Sequence, residues 1–157
     1  MTKKAKKLVL DEWLWADAGG DNGEERQRES LQFLEAVLDR CDRIVIPKGT
    51  EFARKFWNLC RGAGRDQRLR KIVRLFAQKF VNNSGKGEIL ELPTNSLEQA
   101  EPEGKVKPDD HYLVLTFRES HGDLLVTTDQ PLIYALRNLD FPVIHRDDFM
   151  QQYLSGK

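Results

Sequence analysis

The sequence predicts an α/β fold built on a mostly parallel sheet, and three observations predict it. Apolar runs of three or four residues recur along the chain, the length and character of buried strands. Longer stretches lie between them, with apolar residues returning every three or four positions, which is the helical period. No run alternates strictly between apolar and polar, as a sheet with one wet face would. This order of elements is that of a sandwich with helices packed on a sheet.

The elements follow in turn. Leu8-Val9-Leu10 is the first strand, ended by Asp11. Asp17 to Gly23 reads as a polar loop, and Asp21-Asn22-Gly23-Glu24 has the spacing of a capping box. The helix behind it carries Leu31, Leu34, Leu38 and Cys41 on one face, with Val37 beside them. Ile44-Val45-Ile46 is the second strand, closed by Pro47 and Gly49. Thr50 suits the N-cap of the next helix, whose stripe is Phe52, Ala53, Phe56, Trp57 and Cys60. Leu69, Ile72, Val73, Phe76 and Phe80 form the cleanest helical stripe in the chain. A third strand is expected over 88–92, then a loop over 93–108 rich in Pro, Gly and Glu. Pattern alone leaves Tyr112 to Phe117 open between strand and helix. Pro108 and two aspartates ahead of it, and Gly122 behind it, favour a helix. Leu124 to Thr127 is a fourth strand, and Asp129 with Pro131 opens a helix carrying Leu132, Leu136 and Leu139. Val143-Ile144 is a fifth strand, and a last helix covers 147–154.

The chain's 157 residues suit one domain, 1–157. Twenty-five Lys and Arg balance 25 Asp and Glu, which excludes a bulk polycation that coats nucleic acid or membrane. No apolar run approaches the ~20 residues of a membrane span. The basic start, Lys3 to Lys7, leads into only three apolar residues before Asp11 and Glu12, too few for a signal-peptide core. Cys41 and Cys60 form no metal or redox motif and are expected as small buried hydrophobes. A soluble cytoplasmic protein without a membrane partner is the expectation.

Acids fall where open α/β sheets place their functional groups, beyond the carboxyl ends of strands. Asp11 follows the first strand and Asp129 the fourth. Glu51 lies just past the second, and Asp110 opens the helix leading into the fourth. Four carboxylates brought together would repel one another unless a cation sat among them, and oxygen ligands suit Mg²⁺ or Mn²⁺. Each acid also has a plain structural reading. Asp129 before Pro131 is a good N-cap, Asp110 or Asp109 could cap its helix, and Glu51 complements a helix dipole. Asp11 has no turn or cap role.

Asp11 in Leu-Val-Leu-Asp, Glu51 after Ile-Val-Ile-Pro, Asp110 in Asp-Asp-His-Tyr-Leu-Val-Leu, and Thr127-Thr128-Asp129 after Leu-Leu-Val together resemble the PIN domain. The order and contexts are similar to those of prokaryotic PIN nucleases, including VapC-type toxins, over residues 8 to about 154. The resemblance implies a PIN-like three-layer sandwich with a five-stranded sheet of order 3-2-1-4-5. It also implies a Mg²⁺- or Mn²⁺-dependent endoribonuclease, with a toxin of a toxin–antitoxin pair as one form. Asp11, Asp110 and Asp129 would hold the metal, Glu51 would be a further catalytic acid, and Thr127 would support the site. A homodimer and an antitoxin protein are the implied partners besides RNA. The segment over 82–108 is long and acidic, and Asp109 competes with Asp110. Asp110 is preferred because Leu113, Val114 and Phe117 then follow at three, four and seven residues.

Charge is unevenly spread. Arg54 to Lys79 holds nine bases against one acid, a net of +8. Arg68, Arg70, Lys71 and Arg74 lie opposite the apolar stripe and face outward, the electrostatic footprint of a phosphate-binding surface. A solvated face or a dock for an acidic partner is the plain alternative. Trp13 and Trp15 could stack on bases, but sealing the core or a dimer interface is the preferred reading. His111, His121 and His145 share no metal-ligand spacing and read as surface or helix-end residues. A PIN-like module that binds RNA or protein without turnover is the main rival. A phosphorelay receiver lacks its acceptor Asp and Lys, because Leu92-Pro93 and His145-Arg146 stand there. A haloacid dehalogenase needs Asp-x-Asp, and Asp11-Glu12-Trp13 lacks it.

Overall fold

A computed structural model describes residues 5–92 and 106–155. The strand-length apolar runs form five strands, the central three largely buried and the two edge strands partly exposed, with Ile89 at 52%. They are β1 (Lys7–Leu10), β2 (Arg43–Lys48), β3 (Gly87–Glu91), β4 (Leu124–Thr127) and β5 (Val143–His145). All pair in parallel, in the order β3-β2-β1-β4-β5. The register sets Leu8 opposite both Ile44 and Leu124, so the middle of the sheet is fully apolar.

Seven α-helices connect the strands among the described residues: α1 (Trp13–Ala18), α2 (Glu24–Asp39), α3 (Glu51–Gly62), α4 (Gln67–Phe76), α5 (His111–Ser120), α6 (Gln130–Arg137) and α7 (Arg146–Ser155). α1 to α4 pack among themselves, and α7 returns to α2. The chain first winds from β1 outward to β3, then reverses through β4 to β5. Right-handed crossovers therefore place α5 and α6 on the opposite face of the sheet. The result is a three-layer α/β sandwich whose order reverses at β1 and β4, the place where such sheets form a crevice.

Several expectations need correction. α1 occupies residues the pattern left unassigned, and Asp17, expected in a polar loop, is fully buried. Its carboxylate receives a hydrogen bond from the Arg146 guanidinium at 3.0 Å and another from Asn22 at 2.7 Å. The partner lies 129 residues away, beyond the reach of local pattern. No capping box forms, because Gly23 is the N-cap with φ 99°, a backbone that a side chain would strain. α2 buries Phe33, Leu34 and Val37, with Leu31 and Leu38 only half-buried at the flanks. Cys41 lies past the end of α2 and is exposed, and Cys60 is half-buried, so neither is the buried hydrophobe expected. Trp57 sits at the edge of its stripe and is 50% exposed. α4 runs on into a π-helical turn, Ala77–Val81, which sets Phe80 stacked on Phe76 with centroids 5.2 Å apart. The expected loop over 93–108 lies outside the described residues for 93–105. No helix among the described residues is long and apolar enough to cross a membrane.

Candidate active site

Asp11 extends β1 by one residue, its backbone N–H donating to Val126 O at 3.1 Å. That bond fixes its side chain beside the end of β4, where Thr127 is fully buried. Thr127 Oγ1 donates to Asp11 Oδ2 at 2.7 Å and accepts from the Asp129 backbone N–H at 3.1 Å. One hydroxyl thus links the two aspartates. Asp11 Oδ1 accepts from the Glu12 N–H at 2.5 Å. Burial pushes the Asp11 carboxyl above its usual range, opposed by the Thr127 and Glu12 donors, with Asp129 adding repulsion and Lys55 relieving it.

Asp129 has the structural role its sequence suggested. It is the N-cap of α6, and its Oδ1 accepts from the Leu132 N–H at 3.2 Å. Asp110 differs. It stands at the N-cap of α5, after a 3-10 turn at Pro108–Asp110, yet its carboxylate caps nothing. It is half-buried and pushed up to about 6, first by burial, then by the charges of Asp11, Asp129, Glu12 and Asp109. Asp109 itself is exposed. The Asp110 carboxylate makes no capping bond and is repelled by Asp11, Glu12 and Asp129, so the favourable field at a helix start is the structural account left for it.

Glu51 is the outlier. As the first residue of α3 it pairs with Arg54, and its charge is felt at Tyr112 rather than ranking among the strongest on Asp110. Glu12 is the acid the sequence reading missed. It is half-buried, bears on Asp110, and pairs with Lys55 Nζ at 3.2 Å. Its position next to Asp11 was the available signal, but one acid in a row of two at a strand end points two ways. Tyr112 was missed also. It is buried among these acids, its hydroxyl has no hydrogen-bond partner among the described residues, and burial with the charges of Asp11, Glu12, Asp110 and Glu51 drives its pKa upward. An unpaired buried hydroxyl costs about 1–3 kcal/mol.

The donor set is oxygen-only, anionic and partly desolvated, which fits a hard divalent cation in chemistry. As the side chains stand, no group of three or more His, Cys, Asp or Glu among the described residues is arranged to hold a metal ion. Both Asp11 oxygens serve in-chain donors, one Asp129 oxygen caps a helix, and Glu12 faces Lys55. The acids are close enough to repel one another.

The predicted basic residues lie on α4, whose buried face is Leu69, Ile72, Val73 and Phe76. Asp66 caps the helix, accepting from the Leu69 N–H at 3.1 Å. Arg70, Lys71 and Arg74 are exposed and line an open groove with Leu31 and Glu35 of α2. Arg68 is half-buried and stands 3.8 Å from Glu24. Trp13 and Trp15 are 5% and 2% exposed, which removes them as stacking platforms; Trp15 packs against Phe52, Phe56 and Phe76. His111 begins α5 with Nε2 2.9 Å from Val106 O, His121 ends it in a left-handed conformation, and His145 Nδ1 accepts from the Asp147 N–H. Compared with known proteins, the chain matches no family model and no curated protein.

Proposed function

We propose that this chain is a PIN-like endoribonuclease that hydrolyses RNA phosphodiester bonds with Mg²⁺ or Mn²⁺. The observation that carries the reading is Asp110, an uncapping carboxylate pushed up to about 6 amid Asp11, Asp129 and Glu12 at the reversal of the sheet. Acids gathered at the cost of mutual repulsion are a recurrent sign of a functional site.

Asp11, Asp110 and Asp129 would hold the cation, with Glu12 and Glu51 at its edge. When bound, a divalent ion supplies a water of lowered pKa and positive charge against the phosphate. The chain's own residues set the stage. Thr127 orients Asp11 through its hydroxyl and positions Asp129 through the backbone bond it accepts. Lys55 offsets charge at Glu12 and Asp11. Arg70, Lys71 and Arg74 would bind the RNA backbone, sequence-independently. A homodimer, and an antitoxin partner if the chain is a toxin, belong to the proposal through the family resemblance alone.

One observation favours a second reading, a PIN-like module that binds RNA without cleaving it: the acids do not stand in a ligating arrangement. Labelled single-stranded RNA incubated with purified protein and Mn²⁺, with EDTA, and with Asp110→Asn separates the two. The nuclease reading expects cleavage that needs both the metal and Asp110. Salt-sensitive binding with no cleavage would establish the module instead, and neither would remove both.

A further inference from the structure

Among the described residues three large apolar side chains are exposed, Trp57, Ile89 and Tyr134. A single exposed apolar residue is ordinary in a folded chain, so its surroundings decide whether it has a use. Ile89 lies on the edge strand β3 with Glu88 before it and Glu91 on its own face, an anionic setting. Tyr134 of α6 has one base, Arg137, within a turn. Trp57 differs. Arg54 stands three residues before it and Arg61 four after, the spacing that sets all three on one face of α3. All three are exposed. Arg54 pairs with Glu51, whereas Arg61 donates only to the neutral Asn58 and makes no ion pair among the described residues. The indole is also anchored. Its ring meets that of Phe56 with centroids 5.1 Å apart, and Phe56 is buried against Trp15 and Phe76 at 5.0 and 4.9 Å. Half of Trp57 is left to solvent on that support. The exposed arc of α3 ends at Lys55, whose Nζ reaches Glu12 Oε2 at 3.2 Å, next to Asp11. Over residues 54–79 the one acid is Asp66, and it is engaged in capping α4.

We propose that Trp57 is a stacking platform for an unpaired base, with Arg54 and Arg61 taking the phosphates on either side, so that the chain selects single-stranded over duplex RNA. A single strand presents both things this face matches, open base planes and a repeating negative charge. A duplex hides its base planes and offers only the charge. An acidic peptide would likewise use the cations and leave the ring without a partner. The inference rests on the RNA-binding part of the proposed function and deepens it by naming the form of RNA. It needs neither a metal nor cleavage.

The experiment measures, in EDTA, the fluorescence anisotropy of a short labelled RNA strand and of the same sequence as a duplex. The proteins are the full chain, Trp57→Ala and Trp57→Phe. The parent should bind the single strand more tightly than the duplex. Trp57→Ala should lose roughly 5- to 150-fold in single-strand affinity and change little toward the duplex. Trp57→Phe keeps an aromatic face and should retain most of the affinity. Stacking releases no counterions, so the slope of log K against log salt should stay the same in Trp57→Ala. Equal single-strand affinity in the parent and Trp57→Ala would overturn the role of Trp57 and leave RNA binding by α4 intact. Equal losses toward strand and duplex, or a Phe variant as weak as the Ala variant, would overturn it too. Unchanged RNA binding in a Trp57→Ala chain that turns from dimer to monomer would make this face an interface between copies instead. No binding of either RNA by the parent would overturn the RNA reading itself, and this inference with it.

Discussion

Asp110 concentrates the cost of the site in one side chain. Its carboxyl moves from 3.8 to about 6 because burial and the charges of Asp11, Asp129 and Glu12 oppose ionisation. The sign of the linkage follows from that direction. Between those values the folded chain keeps a proton that the unfolded chain releases. The stabilising contribution is therefore complete below about pH 4 and is lost as the pH rises through about 6. Asp110→Asn in EDTA should consequently be more stable than the parent at pH 7–8, by on the order of 1 kcal/mol once solvent screening of this half-exposed group is allowed for. The difference should close by about pH 4. Urea unfolding at the two pH values checks it, and an unchanged difference would mean that the Asp110 carboxyl is not raised in the fold. If the proposed cation binds there it favours the ionised form, so Mn²⁺ affinity should then weaken below about pH 6.

At the scale of elements, α4 combines an apolar face that anchors it with a basic face turned to solvent. Leu69, Ile72, Val73 and Phe76 are buried, whereas Arg70, Lys71 and Arg74 are exposed and make no ion pair among the described residues. Changing those three to Gln should leave the circular dichroism and midpoint unchanged. If α4 binds RNA, affinity should fall and the slope of log K against log salt should flatten by about 2, since each phosphate contact on a single strand contributes roughly 0.7. Arg68→Gln should do less, its charge being shared with Glu24. Periodicity is what made these elements legible: strands and helices, and the outward face of α4, are local patterns. It also made Asp11, Asp110 and Asp129 legible, since their place at element ends is a matter of order along the chain. Glu12, Tyr112 and the burial of Asp17 were not legible, because each depends on groups brought together from distant segments. Helix α1 escaped for another reason. Its six residues are almost all buried, so it has no polar face and no period to read.

For the molecule as a whole, one side chain ties the last helix to the first two. Arg146 opens α7 and is 3% exposed. It reaches Asp17 of α1 at 3.0 Å, Glu29 of α2 at 2.9 Å and its neighbour Asp147 at 3.1 Å. Its guanidinium also lies 5.7 Å from the Trp13 ring centroid. Trp13 in turn donates its indole N–H to Val126 O at 2.9 Å, the same carbonyl that accepts from the Asp11 N–H and stands one residue before Thr127. The clasp and the acids therefore share a frame. Arg146→Ala strips the fully buried Asp17 carboxylate of its cation, and breaking a buried pair from one side costs about 3–5 kcal/mol. Denaturant unfolding should show a loss of that order. Combining Arg146→Ala with Asp17→Asn should recover part of it, because the stranded charge is then gone. A double variant no more stable than the single one would assign the loss to packing against Trp13 instead. If the frame matters to the site, the single variant should also bind Mn²⁺ more weakly at a temperature where it is still fully folded, with every proposed ligand in place.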